Sequence, residues 1–378
     1  MNNYKLTFKL KQHTPHINFQ SSHQGSTIRA TDIKPRIDNY ICKTYPDIGK
    51  PKYQLKITAS LKDYINLKDE EHKYRYEPYF GDHDLCWYDN IELNFNTYFD
   101  EALLEKIKAI LPKVFALENF GSFSNKGYGC FTVENQNRDD FEKILKSAHN
   151  TIYYWDLSTT DDKIIFFQIK YFYSLLKSGI NQVGKNDDEC TYYKSLLMLY
   201  FLDKKIRWEK RGIKKLFNLR STKNRTGKID QIDKFIPDGE NYQAVKPLLG
   251  FSESQEWLSY GLMKENKIKI EMPKGIGRIN SPLFFKVFKE NGASRIYFML
   301  VNTHEFQKKL LPRKEFKFKI KNKTESFNTP ESFDYSDFLN YAVNTINEKL
   351  TANSASGGTA QRVDNFIQKL ITSKIHKL

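Results

Sequence analysis

Residues 1–136 switch between the two hydrophobic periods in a set order, and that order restricts the fold more than any other feature of the chain. Tyr4 to Leu10 alternates, with Leu6, Phe8 and Leu10 on one face. Ile28, Ile33, Ile37 and Ile41 then recur at helical spacing. Tyr53 to Ala59 and Trp87 to Phe95 alternate again, the second with Ile91, Leu93 and Phe95 on one side. Asp100 is placed to cap a helix through Leu103, Leu104, Ile107 and Leu111, with Pro112 as its predicted end. A glycine-bearing loop, Asn119 to Lys126, leads to a strand from Tyr128 to Val133. The order β-α-β-β-α-β predicts a ferredoxin-like unit.

The remainder divides by pattern. Residues 137–262 read as a mainly helical, basic region. Its helices are expected at Asp140–Ala148, Ile164–Leu176 and Tyr192–Trp208, with a short strand at Ile152–Trp155. Residues 263–350 return to strands, at Leu283–Phe288, Arg295–Val301 and the strictly alternating Glu315–Lys321, followed by a helix from Tyr335. That succession predicts a second, partial ferredoxin-like domain. Residues 351–378 read as a linker and a basic C-terminal helix. The expected class is α+β: tandem ferredoxin-like domains with a helical insertion.

Lys and Arg number 60 against 45 Asp and Glu, a formal charge of +15. The excess suits an anionic partner, and abundant Phe and Tyr suit stacking on bases. An AT-rich genome enriches the same residue types, so composition alone does not establish RNA binding. No apolar run approaches a membrane span, and no signal-peptide core opens the chain, which predicts a cytoplasmic protein without membrane partners. Cys42, Cys86, Cys130 and Cys190 are too dispersed for a zinc or disulfide framework, and no cofactor or metal is expected.

Three segments carry candidate chemistry. From Thr14 to Asp38 a strand exits through a polar loop into a helix start bearing Arg29, Lys34 and Arg36, an arrangement suited to phosphates. Phe120 to Phe131 sets glycines around Lys126, so that backbone can approach a phosphate chain closely. Between Lys204 and Lys228 lies a basic run that includes Lys204, Lys205, Arg207, Lys210, Arg211, Lys214, Lys215 and Arg220, an extended phosphate path or a solvated helix face. His13, His16 and His23 in the first loop leave a metal-independent endoribonuclease open, because such cleavage needs an acid and a base near the scissile phosphate. His83, between Asp82 and Asp84, reads more simply as part of a turn.

These segments resemble the RAMP superfamily of CRISPR-associated proteins, and within it the first subunit of the type III-B (Cmr) effector complex. The resemblance rests on Thr14-Pro15, on Ile28-Arg29-Ala30-Thr31-Asp32-Ile33-Lys34, on Ser124-Asn125-Lys126-Gly127-Tyr128-Gly129-Cys130-Phe131, and on Ser281-Pro282-Leu283. The chain departs from the family pattern at Pro35 and at His16–Phe19, where glycines are expected. The resemblance implies a non-catalytic subunit that holds the 3′ region of a guide RNA (crRNA) and helps engage target RNA beside other subunits. On that reading Arg29, Lys34, Arg36, Asn125, Lys126 and the Gly127 and Gly129 backbone contact phosphates, and Tyr128 stacks on a base or sugar. A guide-processing endoribonuclease of the same superfamily, or a nucleic-acid-binding module outside CRISPR, are the alternatives.

Overall fold

The computed structural model describes residues 4–18, 28–65, 84–183, 190–209, 212–213, 242–251, 256–257, 268–320, 322–348, 353–354 and 358–378. They form two compact units. The first is residues 1–169, 284–299 and 376–378; the second is residues 170–283 and 300–375.

The first unit opens as the periodicity predicts. Strand β1 (Lys5–Gln12) leads to helix α1 (Ala30–Thr44), strands β2 (Gln54–Ile65) and β3 (Leu85–Asn96), helix α2 (Glu101–Leu117) and strand β4 (Phe131–Val133). The four main strands lie in the order β4-β1-β3-β2, antiparallel throughout, which is the ferredoxin-like arrangement, and the short His16–Ile17 strand also pairs with β3 at Cys86 and Leu85. Ile33, Ile37 and Ile41 of α1 and Leu103, Leu104, Ile107 and Leu111 of α2 are buried against Leu93 and Phe95 of β3 in one core. Asp100 caps α2 by accepting the Leu103 N–H at 2.9 Å. Pro112 does not end that helix. It continues to Leu117 because Val114, Phe115 and Ala116 are fully buried, so packing outweighs the hydrogen bond that proline forfeits.

A second sheet in the same unit is built from distant pieces. Strand β5 (Ile152–Leu157) follows helix α3 (Arg138–Ala148) and feeds helix α4 (Asp162–Lys177). The partners of β5 are β7 (Ala293–Leu300), beside β6 (Leu283–Glu290), and β8 (His376–Lys377). The order β6-β7-β5-β8 repeats that of the first sheet. The linear division at 262 and 350 therefore does not follow the pairing. This second ferredoxin-like sheet opens inside the region expected to be a helical middle, and its edge strand lies near the C-terminus. Arg295 opposes Asp156 in register and grips it through Nε and Nη2, both at 2.7 Å, while Nη1 reaches Glu142 at 2.8 Å.

The second unit is richer in strand than the expected helical middle. Glu256–Trp257, Ile268–Glu271, Glu315–Ile320 and Lys323–Asn328 form one antiparallel sheet; Ile180–Val183, Cys190–Tyr193 and Asn353–Ser354 form another. Phe316 and Phe318 are buried, Lys317 is exposed and Lys319 half-buried, as strict alternation requires. Helix Leu196–Asp203 is shorter than expected, because Cys190–Tyr193 before it is strand. Among the described residues no helix is long and apolar enough to cross a membrane.

Candidate nucleic-acid interface

The glycine-rich loop and the Thr14 segment, far apart in sequence, are sewn together. Thr14 Oγ1 donates to the Gly127 carbonyl at 2.8 Å and accepts the Cys130 N–H at 2.9 Å. The Gly129 N–H donates to the Pro15 carbonyl at 2.9 Å, and the Ser122 N–H to that of Ile17 at 3.0 Å. Gly129 has φ +67°, and a Cβ there would lie 1.9 Å from the Phe120 carbonyl oxygen, so only glycine fits. Asn119, fully buried, donates its amide to Ser124 and Phe285 carbonyls at 2.7 and 2.8 Å. The Phe285 N–H in turn donates to the Asn125 carbonyl at 3.1 Å, which ties the loop to β6.

This sewing changes the expected roles. Tyr128 is not offered to a base: it is fully buried and stacks on Phe166 at 3.9 Å. The N–H groups of Gly127 and Gly129 are committed to the Ser124 and Pro15 carbonyls, so neither is turned toward a phosphate. Surface access is confined to the arc from Ser122 to Lys126, whose residues are half-buried; the Lys126 ammonium lies 4.7 Å from the Phe123 ring centre.

The loop histidines are interior groups. His13 Nδ1 accepts the Lys289 N–H at 2.9 Å, which places the ring proton on Nε2, 2.9 Å from Thr132 Oγ1. Burial, with Lys11, Lys286 and Lys289 adding repulsion, holds its pKa well below the usual value. His16 is fully buried, its pKa lowered to about 4 by desolvation, and among the described residues neither ring nitrogen has a hydrogen-bond partner. Its Nε2 lies 2.7 Å from where a side chain at Gly121 would begin. His23 and His83 lie outside the described residues.

The α1 cations are partly spent inside the fold. Arg36 donates through Nη1 to Glu118 Oε2 at 2.7 Å and to the Asn119 carbonyl at 2.6 Å, and lies over Phe120. It braces the start of the loop. Lys34 pairs with Asp38 at 3.2 Å and sits 3.5 Å above the Tyr53 ring centre. Arg29 is half-buried at the N-cap position of α1.

Of the basic run in the second unit, Lys204 pairs with Asp337 at 3.2 Å and donates to Tyr200 Oη at 2.6 Å. Arg207 donates to Tyr242 Oη at 3.2 Å. Lys205 is exposed. Lys210, Arg211, Lys214, Lys215 and Arg220 lie outside the described residues. Among the described residues no group of three His, Cys, Asp or Glu side chains is placed to hold a metal ion.

Sequence reasoning missed the outer face of the first sheet. Lys5, Thr7, Lys9 and Lys11 of β1 point away from the core and are exposed. They lie in register with Asn96, Asn94 and Glu92 of β3 and Thr132 of β4. On β2, Gln54, Lys56 and Thr58 continue the same rows. The signal was present in the other half of the alternation that marks β1 as a strand.

The family model of the Cmr1 N-terminal domain matches residues 3–180, and that of the Cmr1 C-terminal domain residues 192–370. Among solved structures the chain is similar to the apo crystal structure of Cmr1 from Pyrococcus furiosus. Identity is 11% and the TM-score 0.40, over 94% of this chain and 99% of that one. No curated protein sequence matches the chain.

Proposed function

The chain belongs to the Cmr1 family of type III-B CRISPR effector subunits, and from that membership we propose that it binds RNA in the complex without cutting it. Its partners are the guide RNA, near its 3′ region, the target RNA, and the neighbouring subunits. The contacts are to phosphate, from Lys126, Arg29 and the lysines of the outer sheet face, with the exposed Lys205 as a further contact. Such contacts are independent of sequence and weaken with salt.

The observation that carries this reading is the state of His13 and His16. A general acid or base must reach the proton it moves. Both imidazoles are sealed in the interior, uncharged at neutral pH, and one is committed to holding β6. What faces solvent around the first sheet is instead a set of lysines. The test is to purify the chain with its neighbouring subunits and sequence the bound RNA. Guides of defined 3′ length that are shortened or lost in Lys126→Glu are expected. Cleavage of repeat RNA by the isolated full chain in chelator, abolished by His23→Ala, would overturn the reading in favour of an endoribonuclease.

A further inference from the structure

At the end of the first sheet remote from the glycine-rich loop, two aromatic side chains stand in water on a backbone that disfavours them. Tyr98 and Phe99 are 55% and 81% exposed, and both have positive φ, +48° and +76°. Residues other than glycine rarely adopt that region, and an exposed aromatic gains nothing there from burial. The turn is held from both sides. The Thr97 N–H donates to the Tyr4 carbonyl and the Asp100 N–H to that of Thr97, each at 3.2 Å; the Tyr98 N–H donates to Asn96 Oδ1 at 3.3 Å. The Phe99 ring packs edge-to-face with Tyr4, the ring centres 5.0 Å apart, and its high exposure leaves most of its surface open to a further ring.

Tyr4 is followed by Lys5, and Lys5 and Asn96 line an open cleft of about 580 Å³ that also takes in Lys34, Lys56, Gln54 and Asn94. No carboxylate lines it. Asp38, which pairs with Lys34, is not among the cleft's lining residues, and Asp100 is engaged in capping α2. Planar rings beside a group of lysines, with amides between them, match one ligand chemistry: an unpaired base flanked by its phosphates.

The geometry points to Tyr98 and Phe99 as a stacking platform for a nucleotide of single-stranded RNA, with Lys5, Lys34 and Lys56 gripping the adjoining phosphates. Lys9 and Lys11 continue along β1 toward the loop that contains Lys126, so the strand is a track between two contact points. The inference rests on the RNA-binding reading above and adds a second grip to it.

The test uses the purified full chain and fluorescence anisotropy with a short labelled oligouridylate and a blunt RNA duplex of equal length. Phe99→Ala is expected to weaken oligouridylate binding about tenfold and to leave duplex binding unchanged. Phe99→Trp restores it. Phe99→Gly separates binding from folding: it relieves the positive φ, so the melting temperature holds or rises while affinity falls. Undiminished oligouridylate binding by Phe99→Ala, in a chain where Lys126→Glu does weaken it, overturns the platform but not the RNA-binding role. A wild-type chain that binds neither RNA overturns both. Loss of a neighbouring subunit from Phe99→Ala complexes, with RNA affinity intact, overturns the platform in favour of a protein contact.

Discussion

The side-chain amide of Asn119 donates to the carbonyl of Phe285 at 2.8 Å in the buried interior, and so joins the glycine-rich loop of one sheet to the first edge strand of the next. The same amide also holds Ser124, so a single side chain sets both the shape of the loop and its attachment. Asn119→Ala strands the buried Phe285 carbonyl and the half-buried one of Ser124, and is expected to cost about 2 to 3 kcal/mol. Urea denaturation measures it. A loss below about 0.5 kcal/mol, within the usual scatter of surface changes, would deny the amide this role.

The two sealed histidines make the fold acid-sensitive. Each is neutral when folded and has its pKa lowered, so the unfolded chain binds more protons as pH drops below about 6.5. Stability is full above that value and is lost progressively as pH falls toward 4, the folded value for His16. That histidine alone accounts for about 3 kcal/mol. Replacing it by Leu removes the titration together with two unpartnered nitrogens, and the melting temperature should then decline less between pH 6.5 and 4.5. An unchanged slope would contradict the assignment.

Gly129→Ala should fail to fold stably, because its new carbon would stand 1.9 Å from a backbone oxygen. Gly127→Ala is crowded only by the Ile169 Cδ1 methyl at 3.1 Å, with Phe285 and Val287 in ordinary contact, and its cost is mainly the strain of φ +87°, about 1 to 2 kcal/mol. Soluble yield and melting temperature should rank wild type, Gly127→Ala, Gly129→Ala. Equal behaviour of the two variants would mean that the close approach to Phe120 is not a constraint.

Arg36 and Lys9 are both cations, yet their removal should read out differently. Arg36→Ala frees Glu118 and the Asn119 carbonyl; the pair is about one-third exposed, which limits the cost to about 1 kcal/mol. Lys9→Ala leaves stability unchanged and lowers the salt slope of RNA binding by about 0.7. Melting curves and binding isotherms at several salt concentrations separate the two effects. A salt slope untouched by Lys9→Ala would remove the outer sheet face from the RNA path.

The first sheet was legible because its strands and helices are consecutive and each carries its own period. Leu6, Phe8 and Leu10 mark β1, and Ile33, Ile37 and Ile41 mark α1, without reference to anything distant. The second sheet was not legible as a sheet. Ile152–Trp155 reads as a short strand by itself, but nothing in it names its partners; Ala293–Leu300 and His376–Lys377 leave no local trace of the pairing. Tyr128 and the loop histidines were misread for a related reason. A loop of His, Thr, Ser, Gly and Lys looks like surface, and Tyr128 beside it looks available, until β6 closes over them and supplies Lys289 and Phe285 as partners. The outer-face lysines could have been found, since a strand that buries every second residue must show the others.

The pairing of β5 with β7 also has a consequence in time. A ribosome delivers β5 long before β7, and the whole second unit except its later segments is made in between. Through that interval β5 has backbone groups without a neighbour and an apolar face without a cover, the condition in which nascent chains pair wrongly or need a chaperone. Slow synthesis across the intervening stretch, or a subunit waiting nearby, therefore bears on how much of this protein reaches its complex at all.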